Sequence, residues 1–370
     1  MTNTITATKA PFRADHVGSL LRPERLHEAR KNFKTGSISA TELREIETEE
    51  IKRIVDKQIE AGLELVTDGE FRRSWWHLDF LEHLNGFEGY VPEAGYSFHG
   101  GVETERYNVR NSGKISFSKD HPFIQDYKEF HEIVGGRAVA KQTIPSPNQL
   151  FHPEIRNVEI YPTVEEFAAD IIQAYRDALQ AFYDAGVRYL QLDDVYIAGL
   201  SSTTIKFDSD EDRQAAIDLA LEVINGVLEG KPEDLVVTTH LCRGNYQSTW
   251  AFEGSYEWIA PTLLAKEKVN GFFLEYDDER SGDFQPLAHI PKGGPRVVLG
   301  VFTSKTGELE DKDAIKARVA EAAKYVPLDQ LCISPQCGFA STHHGNKLTE
   351  EEQWKKLAYI VEVAKEIWED

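Results

Sequence analysis

The chain has 370 residues, 62 acidic and 41 basic, for a formal net charge of −21. That balance argues against nucleic acid and against an anionic membrane surface as partners. Three cysteines are too few for a disulfide framework.

Hydrophobic residues make up 41% of the chain, enough to bury a full core. No apolar stretch reaches the roughly 18 residues of a membrane-spanning helix. The start, Met1-Thr2-Asn3-Thr4, lacks the basic segment and apolar core of a secretory signal. A cytoplasmic protein is the expectation.

Apolar runs alternate with amphipathic helical patterns along the chain. The first run covers residues 11–18 and ends at Ser19, and residues 22–33 read as a helix. Ser39-Ala40-Thr41-Glu42 is a capping box. It opens a helix with Leu43, Ile46, Ile51, Ile54 and Ile59 on one stripe, stopped by Gly62. The second run, residues 63–67, leads into Asp68-Gly69-Glu70. Residues 85–135 break the rhythm, being rich in Gly, Tyr, Phe and charge with neither period. They read as an inserted loop or hairpin excursion, either folding over a site or decorating the surface.

The third run is 138–144, before Pro145-Ser146-Pro147. A second capping box begins at Thr163, and its helix places Phe167, Ile171, Tyr175, Ala178 and Phe182 on one face up to Gly186. The fourth run, 187–192, ends in Asp193-Asp194, and a helix is expected over 210–228. The remaining runs are 235–239, 272–275, 297–302 and 331–334. A helix over 311–325 precedes the last of them, and Thr349 caps a final helix.

Strand–helix alternation of this kind implies a parallel sheet. Eight such units, with no Gly-x-Gly-x-x-Gly turn after the first strand, favour one (β/α)8 TIM barrel spanning 1–370 over a dinucleotide-binding sheet. Active sites of such barrels stand at the carboxyl ends of the strands. There the sequence offers Val17-Gly18-Ser19, Glu70, Asp193, His240 with Cys242, Glu275, Lys305 and Cys337.

His240 and Cys242 are two apart on an extended backbone and so point to one side. An imidazole and a thiolate on one side suit zinc. Glu275 and Cys337 complete a four-donor set, His240, Cys242, Glu275 and Cys337, drawn from three separate strand ends. Taken singly, each has a bland reading. A lone Cys is more often a small buried hydrophobe than a ligand, and Cys332, inside an apolar run, is read as core. Glu275 and Asp193 could be ion-pair partners, and His16, His77, His343 and His344 polar surface or loop residues. The combination is what points to metal. An incoming thiolate that replaced Glu275 would leave the site's charge unchanged, which suits thiol alkylation.

These residues resemble the catalytic C-terminal barrel of cobalamin-independent methionine synthase, in particular short stand-alone homologues of it. The matching stretches are His16-Val17-Gly18-Ser19, Asp68-Gly69-Glu70-Phe71, Leu192-Asp193-Asp194, His240-Leu241-Cys242, Leu274-Glu275 and Pro335-Gln336-Cys337-Gly338. The resemblance implies a barrel with one zinc ion that activates homocysteine, held by His240, Cys242, Glu275 and Cys337. It implies that Glu70 and Asp193 take the substrate ammonium, and that Val17 and Ser19, with the neighbouring backbone, take its carboxylate. His16 and Lys305 are the candidate catalytic residues. One departure matters. Lys305 stands where the long synthases carry a His that helps protonate the folate donor, and no folate-tail segment is recognisable. An unperturbed Lys is a poor proton shuttle near neutrality. The expectation is therefore S-methylation of homocysteine from a donor not used as in those synthases. The alternatives are alkyl transfer to another small thiol and a non-catalytic zinc- or thiol-binding barrel.

Overall fold

The computed structural model describes residues 6–368; Met1-Thr2-Asn3-Thr4, which lacks the pattern of a secretory signal, lies outside them. The first half of the chain forms α1 (Glu24–Lys34), α2 (Ala40–Glu60), β1 (Leu65–Val66), α3 (Leu78–Leu81), β2 (Asn85–Tyr90), β3 (Ser97–Phe98), β4 (Val102–Glu103), β5 (Asn108–Ser116), α4 (Pro122–Val134) and β6 (Val139–Pro145). The second half forms α5 (Val164–Asp184), β7 (Tyr189–Asp194), α6 (Tyr196–Ser201), α7 (Asp210–Leu228), β8 (Val236–Leu241), β9 (Gly271–Glu275), β10 (Arg296–Phe302), α8 (Lys312–Ala322), β11 (Leu331–Pro335) and α9 (Glu350–Trp368).

The helices start where side chains can satisfy their first N–H groups. Ser39 and Glu42 bond reciprocally at the head of α2, and Thr349 and Glu352 do so before α9. Thr163 and Ser209 cap α5 and α7. Gly62, at φ +89°, ends the turn after α2 in a conformation that a side chain would strain.

Seven parallel strands form one sheet in the order β1-β6-β7-β8-β9-β10-β11. All residues of β6 to β9 are buried, as expected of a parallel sheet covered on both faces. The sheet curls until its two outer strands flank the segment 11–20. Ala14 makes a parallel bridge to Ile333 of β11, while the Leu20 N–H donates to the Gly69 carbonyl just beyond β1 (3.1 Å). The result is a TIM-barrel-like α/β fold.

The first apolar run is thus not a regular strand. The Asp15 carboxylate accepts from the backbone N–H groups of Phe12 (3.1 Å) and His16 (2.8 Å). Local bonds of this kind compete with a ladder. Asp15 also pairs with Lys141 at 3.0 Å, both fully buried. The other seven runs are strands of the sheet. The excursion expected over 85–135 is shorter than that: residues 85–116 form two small antiparallel sheets, β2 with β5 and β3 with β4, while Pro122–Val134 is the regular helix α4, capped by His121 and ended by Gly135, with Phe123, Tyr127, Phe130 and Val134 buried. No helix among the described residues is long and apolar enough to cross a membrane.

Candidate metal centre and substrate cavity

Register builds the centre. Asp193 on β7 pairs with His240 on β8, so their side chains leave the same side of the sheet. His240 Nδ1 lies 2.9 Å from Asp193 Oδ1, which also accepts from Gln191 Nε2 at 2.7 Å. One residue past the end of β8, Cys242 donates its backbone N–H to the Asp194 carbonyl at 2.8 Å. Beyond β11, Cys337 brings its sulfur to 3.4 Å from that of Cys242. Glu275 closes β9, and its Oε1 accepts from the Arg243 N–H at 2.8 Å. Tyr256 braces the backbone of Glu275, its hydroxyl accepting from the N–H at 2.9 Å.

One ligand atom each from His240, Cys242, Glu275 and Cys337 lies within 4.8 Å of all the others, and all four residues are buried. A tetrahedron with zinc–sulfur bonds of about 2.3 Å has a sulfur–sulfur edge of about 3.8 Å, close to the separation seen here. The donor set therefore fits a metal ion.

The electrostatics fit a cation as well. The hydrogen bond between the two sulfurs, with burial, holds the Cys242 thiol well above its ordinary range, and the same bond draws Cys337 down. Burial opposes charge on His240. The Asp193 hydrogen bond and the nearby negative groups outweigh it and push the imidazole up to about 9. Burial, then Asp277, raises Glu275.

The centre opens onto a cavity of about 170 Å³, lined by His240, Cys242 and Cys337 among others, with Glu275 behind them. Val17, Ser19, Glu70 and Asp193 are on the cavity wall. Glu70 has φ +61° after Gly69, a strained conformation that turns its side chain inward. Its Oε1 accepts from Thr143 Oγ1 (2.8 Å), and its Oε2 is buried without a partner among the described residues. Burial raises its pKa, against the pull of Arg73. Ser19 Oγ fits only because residue 338 is glycine: a Cβ there would stand 1.9 Å from it.

Two candidates are not brought to this wall. The His16 ring lies 3.0 Å from Gln58 Oε1 of α2, and burial depresses its pKa to about 3. Lys305 points its ammonium at Asp277, which is itself buried. Lys305 is not among the residues lining the cavity, and its charge opposes without reversing the rise that burial imposes on Glu275. Both placements have one cause. A position at a strand end does not say which way the chain turns there.

Sequence reasoning also missed most of the wall. Trp75, Trp76 and His77 follow β1, Tyr96, Phe98 and Asn108 come from the excursion, and Asn245 and Tyr246 follow Cys242. Loops carry no periodicity, so only proximity to Glu70 and Cys242 could have flagged Trp75 and Tyr246. A smaller group, Glu105, His343 and His344, lies apart from this centre and is partly exposed.

A TIM-barrel-like protein with a buried two-thiol, imidazole and carboxylate centre beside an acidic cavity is the class that fold and site define. The family model described as the catalytic domain of cobalamin-independent synthase matches residues 12–101 and 158–366. The chain belongs to that family. It is 49% identical to YxjH and 50% identical to YxjG, uncharacterized proteins of Bacillus subtilis, over 97% of this chain and 96% of each of theirs. It is 24% identical to the methionine synthase of Sulfolobus acidocaldarius over 87% of this chain and 84% of that one. Among solved structures, it is similar to a candidate vitamin-B12-independent methionine synthase of Listeria monocytogenes, with 47% identity and a TM-score of 0.79 over 97% of this chain and 98% of that one. A B12-independent methionine synthase of Shewanella in complex with selenomethionine shares the fold, at 20% identity and a TM-score of 0.74 over 96% and 98%.

Proposed function

We propose that this protein is a cytoplasmic, zinc-dependent S-methyltransferase that methylates the thiol of homocysteine to give methionine, on a closed (β/α)8 barrel whose eighth stave is the segment 11–20. The observation that carries the reading is the four-donor cluster of His240, Cys242, Glu275 and Cys337, opening on one cavity with Glu70 and Asp193. Zinc, when bound, lowers the pKa of a coordinated thiol and so supplies a thiolate nucleophile near neutral pH.

The chain's own residues do the rest. Asp193 fixes the His240 ring by taking the Nδ1 hydrogen, so Nε2, which lies 3.2 Å from the Gln336 carbonyl, is the nitrogen that would turn to the metal. Glu70 offers the free Oε2 to the substrate ammonium, with Asp193 as the second carboxylate. Ser19 and the backbone around Val17 face the carboxylate end. Residues of the excursion and of the segment after β1 line the cavity, so a substrate bound there would displace water and strengthen each of these charged contacts.

The test is homocysteine-dependent methionine formation across a panel of methyl donors, using zinc-loaded and chelator-treated protein. The reading expects product only with zinc and its loss in Cys337→Ser. Product formation indifferent to both treatments would overturn it.

A further inference from the structure

The cavity onto which the metal centre opens has a partly aromatic wall. The rings of Trp75 and Tyr246 are parallel within 10°, with centroids 6.4 Å apart. Tyr96 stands 6.4 Å from Trp75, and Phe98 stands 5.3 Å from Tyr246. Tyr96 and Phe98 come from the excursion and line the cavity. Among the described residues, those lining the cavity include Glu70 and Asp193 and no Lys or Arg. Such a cavity suits a cation with an apolar body, which ring faces attract; with Glu70 and Asp193 given to the acceptor's ammonium, the rings are what hold the donor, and no Lys or Arg lines the wall to pair with an anionic one.

We propose that the methyl donor is a small methyl-onium cation, a sulfonium or a quaternary ammonium, seated against Trp75, Tyr96 and Tyr246. This rests on the reading of the site as a thiol methyltransferase. The step balances without a proton or a co-reactant. The sulfur of the acceptor thiolate forms a bond to the methyl carbon. The bond from that carbon to the onium centre breaks, and its electron pair leaves on a neutral thioether or tertiary amine. A tertiary-amine donor would instead need its departing nitrogen protonated. The wall is poorly equipped for that: burial depresses His77 to about 3 and lowers His152, and the Lys305 ammonium is held by Asp277.

Calorimetry on zinc-loaded full-length protein tests the donor class apart from turnover. The probes are trimethylsulfonium, glycine betaine and 3,3-dimethylbutyrate, the last an isostere of betaine with carbon in place of nitrogen. The proposal expects at least one onium to bind, betaine at least tenfold more tightly than its carbon isostere if the quaternary ammonium is the true class, and trimethylsulfonium alone if the sulfonium is. Tyr246→Leu should weaken that binding about tenfold, while Tyr246→Phe, which keeps the ring face, should retain it. Circular dichroism checks that both variants fold. No onium binding, or equal loss in the Phe and Leu variants, would overturn the proposal. Methionine formed from methyltetrahydrofolate or a methyl-corrinoid, with no onium binding, would overturn it while leaving the thiol reading intact. Onium binding without methyl transfer to homocysteine would support the donor class and count against that reading.

Discussion

Replacing Glu70 by Gln removes one negative charge and keeps the side chain's shape. Glu70 has a side chain only 4% exposed, so solvent screens little of its charge. One oxygen is occupied by Thr143 and approached by Arg73 at 3.4 Å, and the other has no partner among the described residues. Asp193, by contrast, already accepts from Gln191 and His240 through Oδ1. Glu70 is therefore the freer carboxylate for an ammonium. A hydrogen bond to a charged group contributes about 1.5–3 kcal/mol, which is roughly a tenfold to hundredfold change in Kd. Calorimetry of zinc-loaded wild type and Glu70→Gln should show that loss for homocysteine. The loss for 4-mercaptobutyrate, the same thiol without its amine, should be less than threefold. Equal losses for both thiols would refute the reasoning and make Glu70 part of the scaffold.

The purified protein should carry about one zinc per chain by elemental analysis, and Cys242→Ser or Cys337→Ser should abolish tight binding; full retention in either variant removes that residue from the site. Lys305→Ala leaves Asp277 with Arg280 alone, at 3.2 Å, and should cost about 1–3 kcal/mol in denaturant unfolding without changing homocysteine affinity. Gly338→Ala should weaken homocysteine binding and cost about 1–3 kcal/mol of stability, because the added methyl collides with Ser19 Oγ; unchanged binding would separate Ser19 from substrate. Burial holds Glu267 up at about 8 although Thr239 donates to it. The folded pKa lies above the unfolded value of about 4.3, so this group's stabilisation is complete below about pH 4 and lost as pH rises to about 8. Tm of the wild type should fall across that window, and Glu267→Gln should flatten the fall.

Much of the fold was legible because buried parallel strands read as continuous apolar runs and capping boxes mark helix starts. The segment 11–18 was read as a strand because it is apolar. It is irregular because Asp15 spends its carboxylate on its own backbone and on Lys141. At the site, the donors at strand ends could be found in sequence because each punctuates an apolar run. Their proximity is a property of the curled sheet, as in the Asp193–His240 register. His16 and Lys305 show the converse: a strand-end position fixes where a residue starts, and a partner such as Gln58 or Asp277 decides where its side chain points. The aromatic wall comes from loops and the excursion, where no period exists to read.

The most direct test of the central claim is zinc-edge X-ray absorption on the purified protein, with and without homocysteine. The account predicts two sulfur and two nitrogen or oxygen neighbours in the free protein. It predicts three sulfurs once homocysteine is added, with Glu275 released. Fewer than two sulfurs in the free protein, or a spectrum unmoved by saturating homocysteine, would contradict it.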